Sequence, residues 1–263
     1  KVIAHSRASS VVVSNPAQRF VEIVDKDSLD AAYQLIWEGA GNMIAERSVP
    51  QPLKNFTHYD ISMIATIPDF SGELIEQLYQ VERELDIIVP GLSLTPKDMI
   101  HTTLFVFLSG IPMEKMHEAR YPYGAEMFNT VGEVVKSIEE IAIRVQGMNM
   151  GANGSLFAQG KIIDEKLFAL RSALDRVYPD EKRRSRPLHI NLARISKEIT
   201  PAQFKALYSY IASLREVDFG TVIVRNPQVI EINDRWGFVA TRRTTISLVS
   251  SSVAKEAQPV DDD

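Results

Sequence analysis

The sequence predicts a bilobal α+β fold, two pseudo-symmetric lobes of antiparallel sheet and helix flanking a central groove. Three observations predict it. Short β-rich runs alternate with segments whose apolar residues recur at helical spacing. The order strand, helix, histidine-bearing strand, helix, strand occurs twice, although the residues themselves do not repeat. The chain has 263 residues, 45% hydrophobic and 24% charged, which suits a globular body with its own core and excludes a disordered chain.

Taken in order, Phe20 to Val24 reads as a short strand, and Asp27 or Ser28 as the cap of a helix running through Ala31 to Trp37. A loop with Pro50, Pro52 and Asn55 closes an N-terminal extension, residues 1–55, expected to pack on the main body. That body, residues 56–250, opens with the β-rich run Tyr59 to Ile67, stopped by Pro68. Leu74, Leu78, Val81, Leu85 and Ile88 then share one helical face. Met99 to Leu108 reads as a strand, Phe128, Val131, Val135 and Ile138 mark a helix, and Ile141 to Val145 is a further strand. Past a turn at Gly151 to Gly154, a strand from Ser155 to Ile163 precedes a helix with Leu167, Leu170, Leu174 and Val177 on one face. Leu188 to Ile195 is the second histidine strand.

Thr200-Pro201-Ala202-Gln203 opens the next helix with a Thr cap, Pro at the first helical position and Gln three residues after the cap. Phe204, Leu207, Ile211 and Leu214 form its buried face. Strands around Thr221 to Val224, Val229 to Ile232 and Phe238 to Leu248 finish the body, the last two joined by a hairpin turn at Asn233 to Gly237. Residues 251–263, ending in three aspartates, read as a disordered acidic tail.

Of the five histidines, His5, His58, His101, His117 and His189, only His101 and His189 lie inside strands with a short polar side chain two residues on. The segments are His101-Thr102-Thr103-Leu104-Phe105 and His189-Ile190-Asn191-Leu192-Ala193. A strand alternates its faces, so His101 projects with Thr103 and His189 with Asn191, while Leu104, Val106, Ile190 and Leu192 point into the core. Each strand therefore offers one imidazole and one hydrogen-bonding neighbour to a common groove. Phosphodiester cleavage needs such a set: one imidazole takes a proton from the attacking oxygen and another gives one to the departing oxygen. Thr103 and Asn191 are placed to donate to the non-bridging phosphate oxygens.

Other classes are excluded by what is missing. Cysteine is absent, which removes disulfides, thiolate metal sites and a cysteine nucleophile together. No apolar run reaches the roughly 18 residues a membrane-spanning helix needs, and a net charge of −5 argues against a surface that coats nucleic acid. There is no His-Glu-x-x-His metal motif and no serine nucleophile elbow, so neither a metal nor a cofactor is expected. Lys182, Arg183, Arg184 and Arg186, with Arg194 beyond the second histidine strand, are candidate phosphate contacts or else a solvated basic face. Phe105, on the face of His101, is either a stacking surface for a base or a core aromatic at the groove floor.

The two histidine segments resemble the paired His-x-Thr/Ser motifs of the 2H phosphoesterase superfamily, which includes the bacterial LigT-type RNA cyclic phosphodiesterases. The resemblance covers roughly Phe56 to Ser250 in the order of elements. His101-Thr102-Thr103 fits the pattern, and Pro187-Leu188 before His189 with Ala193-Arg194 after it is similar to the second motif, where Asn191 replaces Thr or Ser. The resemblance implies a metal-independent phosphodiesterase acting on a 2′,3′-cyclic phosphate, or a related 2′-linked phosphodiester, of RNA or a nucleotide. His101 and His189 would be the acid and base, Thr103 and Asn191 the phosphate contacts, and Phe105, Arg186 and Arg194 contacts to the rest of the substrate. Apart from the resemblance, a soluble monomer with no membrane partner is expected; the compartment is left open by the sequence, with the cytoplasm the leading expectation. Which imidazole is acid and which is base is left open by the sequence. Asn191 keeps a second possibility open, a weakened or inactive protein of the same fold that binds a nucleotide or an RNA end.

Overall fold

The computed structural model describes residues 23–52, 58–112, 115, 125–178, 187–232, 240–246 and 248. Nine strands and five helices run in the order α1 (Lys26–Ala45), β1 (His58–Thr66), α2 (Gly72–Ile88), β2 (Ser93–Leu94), β3 (His101–Pro112), α3 (Ala125–Val135), β4 (Ile141–Met150), β5 (Ser155–Ile162), α4 (Lys166–Val177), β6 (His189–Arg194), α5 (Pro201–Ser213), β7 (Asp218–Val224), β8 (Gln228–Ile232) and β9 (Ala240–Thr245), counted among the described residues. The strands form two antiparallel sheets, one ordered β3-β1-β8-β9 and the other β2-β6-β5-β4-β7. The fold is bilobal α+β, as the pattern of elements predicts.

The two lobes are not the two halves of the chain. β4, expected to close the first half, pairs with β5 and β7 in the second sheet, whereas β8 and β9 return to the first. Spatially, β3 corresponds to β6, β1 to β5, β8 to β4 and β9 to β7, with β2 an addition on the edge of the second sheet. The helices cross as well. α2 lies between β1 and β3 in sequence yet packs on β6 and β7, and α4 lies between β5 and β6 yet packs on β3. Residue periodicity says which face of a segment is apolar, but not which sheet it will cover.

Helix ends follow local chemistry. α1 begins two or three residues earlier than Asp27 or Ser28 would place it: Asp25 is the cap, its Oδ1 accepting from the Ser28 amide at 2.8 Å, while Ser28 Oγ accepts from the Asp25 amide at 3.0 Å. Ser28 is thus the third residue of the helix, answering the cap. α5 has the box expected of Thr200 and Gln203, with Thr200 Oγ1 accepting from the Gln203 amide at 3.2 Å and Gln203 Oε1 from the Thr200 amide at 2.9 Å. β3 begins at His101 and not at Met99, because Lys97–Met99 winds into a short 3-10 turn.

The predicted apolar faces are buried: Leu74, Leu78, Val81 and Leu85 of α2, Leu167, Leu170 and Leu174 of α4, and Phe204, Leu207 and Ile211 of α5. Val177 is an exception, exposed at the end of α4. The expected strand over 20–24 falls largely outside the described residues, as do the hairpin turn at 233–237 and the acidic tail; Ile23 and Val24 carry no strand pairing. No helix among the described residues is long and apolar enough to cross a membrane.

α1 packs on β4, β5 and α5. Leu29, Tyr33 and Ala40 are fully buried there, Trp37 stacks on Tyr208 with ring centroids 4.1 Å apart, and Lys161 pairs with Asp30.

Candidate active site

The histidine strands meet between the sheets. Cα atoms of β3 and β6 approach within 8 Å of each other, and between the lobes opens a cleft of about 870 Å³. His101, Thr103, Phe105, His189, Asn191 and Arg194 all line it. Arg186 and the rest of the basic run lie outside the described residues. Leu104, Val106, Ile190 and Leu192 are buried, as the alternation predicts, although Leu104 and Val106 also contribute to the cleft lining.

Each imidazole is held by the same local device. His101 Nδ1 lies 2.8 Å from the carbonyl oxygen of Met99, and His189 Nδ1 lies 2.8 Å from that of Pro187, in both cases two residues upstream. A carbonyl only accepts, so Nδ1 carries the proton in both rings and Nε2 is the nitrogen whose protonation can change. The rings also differ. Burial holds the pKa of His101 below the usual imidazole value, against a smaller opposing effect of the Met99 carbonyl. His189 is packed edge-on against Phe157, with ring centroids 5.2 Å apart. Phe157 comes from β5, where it pairs in register with Asn191.

The two short polar neighbours are not equivalent. Thr103 is half-exposed at the cleft surface. Asn191 is also half-exposed, but its side-chain oxygen is buried without a hydrogen-bond partner, leaving the amide –NH2 as the end that can donate into the cleft. Phe105 lines the cleft while being buried, edge-on against Phe107 at 4.9 Å. Burial lowers the pKa of Arg194, without approaching neutrality for a guanidinium.

Arg171 is a cleft residue the sequence reading missed. It projects from α4, and its Nε donates to the Leu104 carbonyl at 2.9 Å, on the strand that carries His101. Desolvation pushes its pKa down to about 10, so it stays cationic at neutral pH. Ser172, Asp175 and Arg176 line the same wall. In sequence, Arg171 is one polar residue beside a buried Leu170 on an amphipathic helix, and nothing in the spacing marks it. Ile23, Val24, Leu35, Ile36 and Gly39 of the N-terminal region supply an apolar flank to the cleft, equally unmarked. No group of three or more His, Asp or Glu side chains comes together among the described residues in a way that could hold a metal ion.

No family model matches the chain, and no curated protein matches it. Several solved structures are similar to it. A conserved protein of unknown function from Agrobacterium tumefaciens has a TM-score of 0.49 at 15% identity, over 79% of this chain and 97% of that one. TT0787 of Thermus thermophilus has a TM-score of 0.47 at 14% identity, over 71% and 97%. LigT of E. coli in its apo form has a TM-score of 0.44 at 11% identity, over 73% and 98%. The likeness is one of backbone course.

Proposed function

We propose that the cleft hydrolyses a phosphodiester, a 2′,3′-cyclic phosphate or a related 2′-linked diester of RNA or a nucleotide, by acid–base catalysis between His101 and His189. The observation that carries this reading is the matched pair of imidazoles. Both line one cleft, both come from corresponding strands, and both have Nδ1 tied to the carbonyl two residues back, which commits Nε2 to proton transfer. His101 takes the base role, because burial favours its neutral form at neutral pH. Its Nε2 accepts a proton from water as the water oxygen forms a bond to phosphorus. His189, in the acid role, gives a proton from Nε2 to the ribose oxygen as the phosphorus–oxygen bond breaks. Thr103 and the Asn191 amide donate to the non-bridging oxygens, where negative charge grows, and Arg171 and Arg194 supply positive charge to the same cleft.

The test is turnover of 2′,3′-cyclic nucleotides, cyclic-phosphate-ended RNA and 2′-5′ oligoadenylate in the presence of chelator. Expected is activity that survives chelator and falls by about 10²- to 10⁴-fold in His101→Ala and in His189→Ala alike. Strict dependence on added metal, or undiminished turnover in either variant, overturns it. Tight nucleotide binding by wild type without any turnover selects the second reading, a binding protein of the same fold, for which the departure at Asn191 is the favouring observation.

A further inference from the structure

Tyr33 of α1 reaches the second histidine strand from behind. Its side chain is 1% exposed, and its hydroxyl sits where β5 and β6 begin to part. There it donates toward the carbonyl oxygens of Gly160, at 2.9 Å, and Leu188, and accepts from the Gly160 amide at 3.2 Å. The Gly160 amide also donates to the Leu188 carbonyl at 2.8 Å. This junction requires glycine: a Cβ on residue 160 would lie 2.8 Å from the Leu188 side chain and 3.1 Å from its carbonyl oxygen. Leu188 immediately precedes His189, and Pro187, one residue further back, holds the His189 ring through Nδ1. The two carbonyls before the imidazole are therefore both engaged, one by the ring and one by a phenol from the N-terminal helix.

α1 is itself anchored for this purpose. The Asn149 amide donates to the Tyr33 carbonyl at 2.9 Å and the Lys161 ammonium lies 5.5 Å from the Tyr33 ring centroid. A buried hydroxyl is costly unless hydrogen-bonded. Among the described residues its partners are all main-chain atoms of β5 and of the residue that leads into β6. A phenylalanine would fill the same space without touching either strand's polar atoms.

We propose that Tyr33 is a positioning residue for His189: through the Leu188 carbonyl, the docked N-terminal helix fixes where the imidazole stands in the cleft. The proposal rests on the histidine-pair reading above and adds a dependence of turnover on α1. A displacement of about 1 Å in a reacting group can cost about 10²-fold in rate, so losing one clamp on the backbone before His189 affects catalysis as well as folding.

The experiment compares Tyr33→Phe with Trp37→Ala in the full chain, measuring kcat and KM on a 2′,3′-cyclic nucleotide across pH, melting temperature, and the histidine ring resonances by NMR. Expected for Tyr33→Phe is a fall in kcat of about 10- to 100-fold with KM within about twofold, and a shift of His189 resonances but not those of His101. Trp37→Ala, which loosens α1 away from β6, lowers the melting temperature and leaves kcat within about twofold. Folded Tyr33→Phe with wild-type kcat and wild-type His189 resonances overturns the proposal, as does a loss of kcat in Trp37→Ala equal to that in Tyr33→Phe. Should Tyr33→Phe not fold, Asn149→Ser is used, since it removes the donor to the Tyr33 carbonyl and loosens the seat of the phenol; the same selective shift of His189 is expected, and equal shifts of both histidines, or none, overturn the idea. Retained activity in His189→Ala refutes the histidine-pair reading separately, while the resonance measurement still decides whether Tyr33 positions that ring.

Discussion

The two histidine strands present the same chemistry to the cleft from different frames. Among the described residues β3 is the terminal strand of its sheet and pairs with β1 alone, whereas β6 is bonded on both sides, to β5 and to β2. His101 follows a 3-10 turn that supplies the Met99 carbonyl, and it sits deep enough for burial to change its titration. His189 follows Pro187 and Leu188, and its backbone is pinned from outside the sheet by Tyr33. The first strand carries Thr103 beside its imidazole and the second carries Asn191. The pseudo-symmetry thus lies in what reaches the cleft. What supports it differs: the imidazole on the edge strand is governed by its surroundings, and the imidazole on the interior strand by its backbone.

The largest test of that contrast is pH. Burial depresses the pKa of His101, so the acid limb of kcat/KM is expected to have its midpoint below 6.5, with rate falling about tenfold per pH unit beneath it. Phe105→Ala opens the wall beside His101 and is expected to move that midpoint upward toward 6.5; a midpoint unchanged in a folded variant refutes the role of burial. The linked stability has a definite sign. Between the folded value and 6.5 the unfolded chain binds more protons, so stability falls as pH drops through that window, and His101→Gln removes that part of the slope in chemical denaturation.

A smaller effect comes from exchanging the neighbours. Thr103→Asn is expected to lower kcat/KM about tenfold, equivalent to about 1.4 kcal/mol, and Asn191→Thr to raise it by up to about the same factor. Equal losses in both would mean that each strand is matched to its own side chain. The smallest effect is confined to one lobe. Thr200→Ala removes the α5 cap and is expected to cost about 1 kcal/mol, seen as a melting temperature lower by roughly 2–4 °C with kcat unaltered.

How far the sequence discloses this arrangement depends on how local each feature is. The alternation along His101-Thr102-Thr103 and His189-Ile190-Asn191 is a property of five or six consecutive residues, and it delivers the polar side chains to the cleft as expected. The Thr200 and Gln203 box is equally local and forms as read. The α1 cap is displaced because both Asp25 and Ser28 belong to one reciprocal pair, and choosing between neighbouring polar residues needs the backbone angles. Strand partnership is not local at all. β4 and β8 exchange sheets because pairing is decided by crossovers that leave no mark in periodicity. Arg171 and Tyr33 escape notice for a related reason: each is an ordinary helical residue whose partner lies 67 positions away, at Leu104, or 127 and 155 positions away, at Gly160 and Leu188.

The crossing of α2 and α4 has a mechanical consequence: α2 leaves β1 of the first sheet to lie on the second, and α4, between two strands of the second sheet, lies on the first. The lobes are woven together and cannot swing apart like the halves of a shell without stripping a helix from its bed. Heating is therefore expected to give one calorimetric transition and no half-molten species. Opening the cleft then costs helix–sheet packing in both lobes, so a ligand that needs a wider mouth is expected to bind more weakly.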